Sequence, residues 1–356
     1  MGNTPTKSKG GATDEWERAM VQKAENEHHY PTITIGVEES CDKTITFLVV
    51  SDTHNQHRKL PLPKDGADVL LHCGDWSNWE SSKKITEDFN AWLGSPDILA
   101  RFPRRIVVGG NHELCCSKVS TEQVRTKMIT NAEYYNGESI THESLKLWLS
   151  PLTRSRNLTY RANAFSKSSE NLTKEFAKCP NDVDILVTHS PPYGILDMHK
   201  SGHRMGSLEL WQTVQRVLPS VHLFGHCHDN GGAETRKMLQ EGNWCCVKCT
   251  LENSFKHLAC SACNTERKPT LVTFINASNK LNVQPFLLRV NMKGGAIHVS
   301  PEAKVLICGD SMESEGQGGK KEEEVEVEVE EEVVVEEEEV EEESNKVDSD
   351  DQNLCL

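Results

Sequence analysis

Three features of the chain predict an α/β layered fold. Six short apolar runs recur between Thr44 and Ser278: "TITFLVVSDTH", "ADVLLHCGDW", "RRIVVGGNHE", "VDILVTHSPP", "VHLFGHCH" and "TLVTFINAS". Each has the length of a buried strand and closes on small or polar residues. Helical patterns such as "KKITEDFNAWLG" and "SLELWQTVQRVL" fall between several of them, and strands alternating with helices pack as layers around one sheet or a pair of sheets.

In chain order, residues 1–43 form a polar segment with one helix-prone stretch, "DEWERAMVQKAENEHH". The domain itself is expected over residues 44–290, with "ESLKLWLSPLT" as an additional strand in its middle. Order fades after Lys293, and residues 311–356 are expected to be a disordered acidic tail.

The net charge of -15 belongs to that tail, because the 22 positions from Glu322 to Glu343 hold 15 Glu and 7 Val. The remainder is near neutral, shows no basic patch that calls for nucleic acid, and is free to bind a phosphate. No apolar run reaches the length of a membrane span. The 13 cysteines accompany no apolar leader, so a reducing, cytoplasmic setting is expected. Five of them crowd between Cys245 and Cys263, which points to a metal site rather than a disulfide framework.

The chemistry lies where the strands end. Asp52 and His54 close the first run, Asp75 the second, Asn111 and His112 the third, His189 the fourth, and His226 with His228 the fifth. Open α/β sheets gather catalytic groups at the carboxyl ends of their strands, so these side chains converge on one edge. Hard oxygen donors mixed with imidazoles suit Mn, Fe or Zn. Seven ligands exceed one ion's needs but serve two when a carboxylate bridges. Two cations about 3.5–4 Å apart clamp both oxygens of an in-line phosphoryl displacement, and a hydroxide between them is a nucleophile near neutral pH.

The ordered set "SDTH", "GDW", "GNHE", "THSPP" and "GHCH" resembles the calcineurin-like metallophosphoesterases. Together "DVLLHCGDWSN", "FNAWLGS", "DILVTHSPPYGILD", "HLFGHCH" and "TFINAS" resemble its metallophosphoesterase-domain-containing branch, related to class III cyclic-nucleotide phosphodiesterases. The resemblance implies a four-layered α/β/β/α sandwich. It implies one metal on Asp52, His54 and His228, another on Asn111, His189 and His226, Asp75 as the bridge, and His112 as general acid beside the leaving oxygen. Some members of the branch carry glycine where His226 stands, which weakens their second site; here the histidine is present. The second motif reads "GDWSNWE", without the Asp-Arg-Gly continuation of the protein phosphatases, and this favours phosphodiesters or small phosphate esters.

A module is inserted before the last of these strands, over about residues 240–268. Cys246 with Cys249 and Cys260 with Cys263 form two C-x-x-C pairs, a spacing that closes a tetrahedral structural zinc site. With Trp244 and Asn253 the pattern is similar to the Ran-binding-protein-type zinc finger, whose members bind ubiquitin or single-stranded RNA. Thr250 and Leu251 occupy the place of the ubiquitin-contacting pair, whereas the middle of the finger lacks the tryptophan and arginines of the RNA binders. A protein partner, RNA, and a merely structural insertion all stay open. Attachment just after His228 suggests a finger over the active-site mouth, where a partner on Thr250 and Leu251 would gate access.

At the N-terminus "MGNTPT" fits the myristoylation pattern at Gly2 with Thr6 in place. One acyl chain gives only transient membrane association. The sequence reading is therefore a dinuclear metal-dependent phosphodiesterase with a partner-recruiting finger. Its rivals are a catalytically idle scaffold and an RNA-directed phosphoesterase.

Overall fold

The computed structural model describes residues 30–36, 41–78, 82–155, 162–239, 243–246, 248–254, 256–278, 285–297 and 307–308. The helix-prone N-terminal stretch, Gly2 and the acidic tail lie outside them. Two sheets face each other. The first runs, edge to edge, β18 (Ile307–Cys308), β1 (Thr32–Ile35), β16 (Phe286–Lys293), β2 (Lys43–Val50), β3 (Val69–His72), β4 (Arg104–Val108) and β5 (Glu133–Tyr135), with β17 (Ala296–Ile297) paired to β16. The second runs β12 (Gly232–Met238), β15 (Thr270–Asn276), β11 (Val221–Phe224), β10 (Ile185–Thr188), β7 (Leu145–Ser150) and β6 (Glu138–His142). Short ribbons pair β8 (Thr153–Arg154) with β9 (Ser166–Lys167) and β13 (Trp244–Cys245) with β14 (Glu252–Asn253).

The burial pattern explains the layering. Strand residues alternate faces, so Phe47 and Val49 of β2 turn inward to meet Leu147 and Leu149 of β7 between the sheets. Their neighbours turn outward. Leu48, Val50 and Leu70 pack under α1 (Ser82–Leu93) and α2 (Pro96–Arg101) through Phe89, Trp92, Leu93 and Ile98, and the short α3 (Leu114–Ser117) and α4 (Thr121–Lys127) add Cys116 and Val124. On the other side Trp148, Leu186 and Phe224 meet α5 (Ser169–Phe176) and α6 (Leu208–Val217) through Leu172, Phe176, Leu210 and Val214. The result is helix, sheet, sheet, helix. The central parallel strands β3, β10 and β11 are buried on both faces, and this is why they read as continuous apolar runs rather than alternating ones.

All six apolar runs and "ESLKLWLSPLT" are strands, and the two helical patterns are helices. The domain begins earlier than residue 44. Thr32–Ile35, placed by sequence in the polar segment, pairs in parallel with β16 and inserts Ile33 and Ile35 between the sheets. With four residues among polar neighbours, such a strand has too short a period to stand out. At the other end β16 continues past residue 290 to Lys293.

Leu147 is fully buried between the sheets, whereas Leu99 is exposed. Leu147→Ala is expected to lower unfolding free energy by about 2–5 kcal/mol in denaturant titrations, and Leu99→Ala to change it by less than about 0.5 kcal/mol.

Candidate metal centre

Parallel strands of both sheets send their carboxyl ends to one edge, and each sequence-selected ligand leaves from such an end: Asp52 after β2, Asp75 after β3, Asn111 after β4, His189 after β10 and His226 after β11. The backbone there is held in an uncommon conformation. Asp52, His54, Asp75 and His226 have φ of 54°, 40°, 57° and 69°, a left-handed region that costs side-chain-bearing residues about 1–3 kcal/mol each. The turns are tied to one another. The Asp52 N–H donates to Gly74 O at 2.9 Å and the His54 N–H to Asp75 O at 3.0 Å. The His226 N–H donates to Asp52 Oδ2 and the His112 N–H to Asp75 Oδ1, both at 2.9 Å.

Side chains then gather in two adjoining groups. Asp52, His54 and His228 form one and Asp75, His189 and His226 the other, with the ligand atoms of each within 4.8 Å of one another. His54, Asp75 and His112 form a third such group between them. Asn111 joins the second through Oδ1, 2.9 Å from His189 Nε2. All eight residues selected from sequence are thus brought to one place.

The donor set fits cations. His54 gives Nδ1–H to Ser77 O at 3.0 Å, so its Nε2 carries a lone pair, and that lone pair lies 3.2 Å from His228 Nε2. His228 Nε2 is also 3.0 Å from Asp52 Oδ1. His189 gives Nδ1–H to Cys73 O at 2.8 Å, leaving Nε2 facing Asn111 Oδ1 and, at 3.3 Å, Asp75 Oδ2. Around His189 acceptors thus face acceptors across gaps that a cation satisfies and a neutral imidazole does not. Without one, a proton takes its place. Burial opposes an imidazolium at His189, but the Asp75 carboxylate beside it raises its pKa to about 9. Burial would likewise raise both carboxyls. His228 holds Asp52, and His189 holds Asp75, below the usual carboxylate range. Burial lowers His112, with Asp75 opposing.

Sequence reasoning passed over the residues that hold these loops. Glu113, fully buried, accepts from the N–H groups of Asp75 (2.9 Å), Gly110 (2.7 Å) and Ser77 (3.0 Å) and from the Ser77 hydroxyl (2.9 Å). One carboxylate therefore binds the Asp75 turn to the Asn111–His112 turn, although burial and the Asp75 charge raise its pKa to about 8. Gly225 is required by space, because a Cβ there would stand 2.0 Å from Ser51 Oγ and 2.3 Å from Asp52 Oδ2. Both residues sit inside quoted motifs. Their signal was visible, but their roles depend on neighbours remote in sequence.

The four finger cysteines also converge, with Sγ atoms within 4.8 Å, Cys246 to Cys263 at 3.5 Å and Cys249 to Cys260 at 3.4 Å. Four thiols at this spacing fit a tetrahedral zinc. Asn253, buried between the two knuckles, donates to Leu251 O and accepts from Ser261 N–H, both at 2.9 Å. Trp244 Nε1–H donates to His257 O at 2.9 Å. Thr250 and Leu251 are exposed. The strand pairing places the attachment of the module away from the metal edge. β12 starts at the metal edge, where Gly232 pairs with Asn276, and runs antiparallel to β15 to its far end, where Met238 pairs with Thr270. The module is attached there, about 20 Å along the hairpin from the metal edge.

A model of the calcineurin-like phosphoesterases matches residues 45–230, just over half of the chain. The chain belongs to the calcineurin-like phosphoesterase family. A UPF0046 protein of Caenorhabditis elegans is 31% identical over 213 residues, 56% of this chain and 67% of that protein. Metallophosphoesterase domain-containing protein 1 of Homo sapiens is 32% identical over 209 residues, 52% of this chain and 61% of its own length. Matches thus span about two thirds or less of these relatives. Among solved structures, a dimetal phosphatase from Danio rerio aligns over 73% of this chain and 90% of its own at 10% identity, with a TM-score of 0.36. No helix among the described residues is long and apolar enough to cross a membrane.

Because a cation and a proton compete for His189 Nε2, metal affinity is expected to rise with pH by about tenfold per unit up to about pH 9 and then level off. Calorimetric Mn titrations of metal-stripped protein between pH 6.5 and 9.5 measure this. A flat profile would show that His189 is not a ligand.

Proposed function

We propose that this family member is a dinuclear metal-dependent phosphoesterase acting on phosphodiesters. One observation supports it above the others: two three-residue ligand groups adjoin, and Asp75 belongs both to the His189–His226 group and to the His54–His112 group. Asp52, His54 and His228 would hold one ion, Asn111, His189 and His226 the other, with Asp75 available to both. When bound, the ions supply Lewis acidity toward phosphoryl oxygens and acidify water enough to make it a nucleophile near neutral pH. Mn, Fe and Zn all suit the mixture of carboxylate, amide and imidazole.

The chain's own residues do the rest. His112 stands with its ring 4.8 Å from that of His54 and Nε2 3.8 Å from Asp75 Oδ2, and it carries the proton delivered to the leaving oxygen. The diester preference draws on the segment after Asp75, Trp76-Ser77-Asn78-Trp79-Glu80, which contains no arginine. Trp76 is fully buried, stacked at 4.9 Å on Phe89, with Nε1–H donated to Thr86 Oγ1. Trp76 thus belongs to the core, and the segment offers no guanidinium to compensate a second phosphate charge. A diester carries one negative charge fewer than a monoester dianion and needs no such group.

Hydrolysis of a chromogenic phosphodiester and the matching monoester by Mn-, Fe- or Zn-reconstituted protein tests the proposal. Diester turnover is expected, lost together with bound metal in Asp75→Asn. In His112→Ala it should fall about 10²–10⁴-fold with metal content retained. A folded, metal-loaded protein without turnover would favour the scaffold reading instead.

The Cys246, Cys249, Cys260 and Cys263 module would hold one zinc and, in this reading, carries a docking surface at Thr250 and Leu251 for a protein partner such as ubiquitin. Attachment at the far end of the β12–β15 hairpin favours recruitment over gating. Thr250→Ala with Leu251→Ala is expected to abolish ubiquitin binding in calorimetry while diester hydrolysis stays unchanged. Salt-sensitive binding of single-stranded RNA in its place would assign the finger to RNA.

A further inference from the structure

Two histidines outside the ligand set are buried in the apolar layers beneath the centre. His72 ends β3 and His222 is the second residue of β11; both are 1% exposed or less. Each lies on the outward face of its sheet. His72 sits against Phe89 and Trp76, with ring centroids 5.1 and 6.1 Å away, and His222 against Phe224 and Phe274 at 5.0 and 6.0 Å. An aliphatic side chain would pack in either place without burying ring nitrogens, so their polar contacts must account for them.

Those contacts fix the tautomers. The Gly74 N–H donates to His72 Nδ1 at 3.1 Å, so Nε2 carries the hydrogen and gives it to Thr53 Oγ1 at 3.0 Å. Gly74 also accepts from the Asp52 N–H and precedes Asp75. One imidazole thereby ties the Asp52–His54 turn to the Asp75 turn. In the other sheet the Thr188 hydroxyl donates to Ser190 O at 2.7 Å, so its oxygen accepts Nε2–H from His222 at 2.9 Å. His222 Nδ1 has no partner among the described residues. The chain His222, Thr188, Ser190 O closes the turn whose middle residue is His189. Both rings are neutral, since burial drives their pKa to about 3, and for His72 a neutral ring is what an acceptor at Nδ1 and a donor at Nε2 require.

We propose that His72 and His222 are positioning residues of the dinuclear centre, each clamping a metal-ligand turn through a threonine hydroxyl, His72 for the Asp52 and Asp75 turns and His222 for His189. Among the described residues neither ring hydrogen-bonds to a ligand side chain; they act on the backbone turns in left-handed or closely packed conformations, which isolated loops would relax. The inference rests on the two-metal reading.

The test uses the full chain, stripped of metal and titrated with Mn by calorimetry, beside circular dichroism and thermal unfolding. Leucine at either position keeps volume and removes the donor. His222→Leu is expected to weaken one of the two binding steps, and His72→Leu both, by about 10–100-fold, with secondary structure intact and the thermal midpoint unchanged or raised. Thr188→Val and Thr53→Val, nearly isosteric, should reproduce the losses even where a leucine variant folds poorly. His222→Leu added to Thr188→Val should weaken binding no further, and His222→Gln, which restores an N–H donor, should recover part of it. Folded leucine and valine variants that bind both ions with parental affinity would overturn the assignment. A parental protein that binds no Mn would instead remove the two-metal reading itself.

Discussion

Two carboxylates, Asp52 and Asp75, are almost wholly removed from water and still ionised. Burial of a charge is tolerated only when counter-charge and hydrogen bonds replace the lost hydration, and the surrounding architecture supplies both. Backbone N–H groups from other strand ends meet the carboxylate oxygens: His226 N–H on Asp52 and His112 N–H on Asp75. Imidazoles from the second sheet supply the charge. Asp52 faces His228 and Asp75 faces His189, so the carboxylates of one sheet are compensated from the other. Face-to-face packing of the sheets is therefore a precondition of the site.

This arrangement places heavy demands on the loops. Four of its residues sit at positive φ without being glycine, and such conformations persist only when the surroundings over-determine them. Glu113 binds three N–H groups from neighbouring turns, and Gly225 allows the β11 loop to approach Ser51 and Asp52 at a distance no Cβ permits. Apolar cores on both outer faces hold the strands, and the polar braces hold the turns. The two jobs are separated by depth: packing below, hydrogen bonding at the rim.

The cysteine module illustrates a different economy. Among its described residues only Cys246, Asn253 and Cys260 are buried, and its order comes from four converging thiols with Asn253 and Trp244 bracing the knuckles. Its insertion at the distal turn of an edge hairpin leaves the parallel strands beneath the metal centre undisturbed. An edge strand accepts such an insertion because only one of its sides is committed to pairing.

Much of this was legible in the chain. The apolar runs set the strands, and the residues closing them named the candidate ligands, because strand ends are local features and a metal centre needs particular donor atoms. The C-x-x-C spacing was equally local. What sequence did not decide was whatever depends on register and on crossings between elements. Thr32–Ile35 became a strand only because β16 offers it an edge. The finger reads as adjacent to His228 in the chain, yet β12 carries it away from the metal edge, since strand direction converts a short sequence separation into a long distance. Glu113, Gly225, His72 and His222 hold their places through partners 19 to 174 residues away. Residue chemistry determined which atoms could bind a cation; only tertiary packing decided which backbone turns hold those atoms together, because hydrogen-bond geometry across two sheets is not encoded in any one segment.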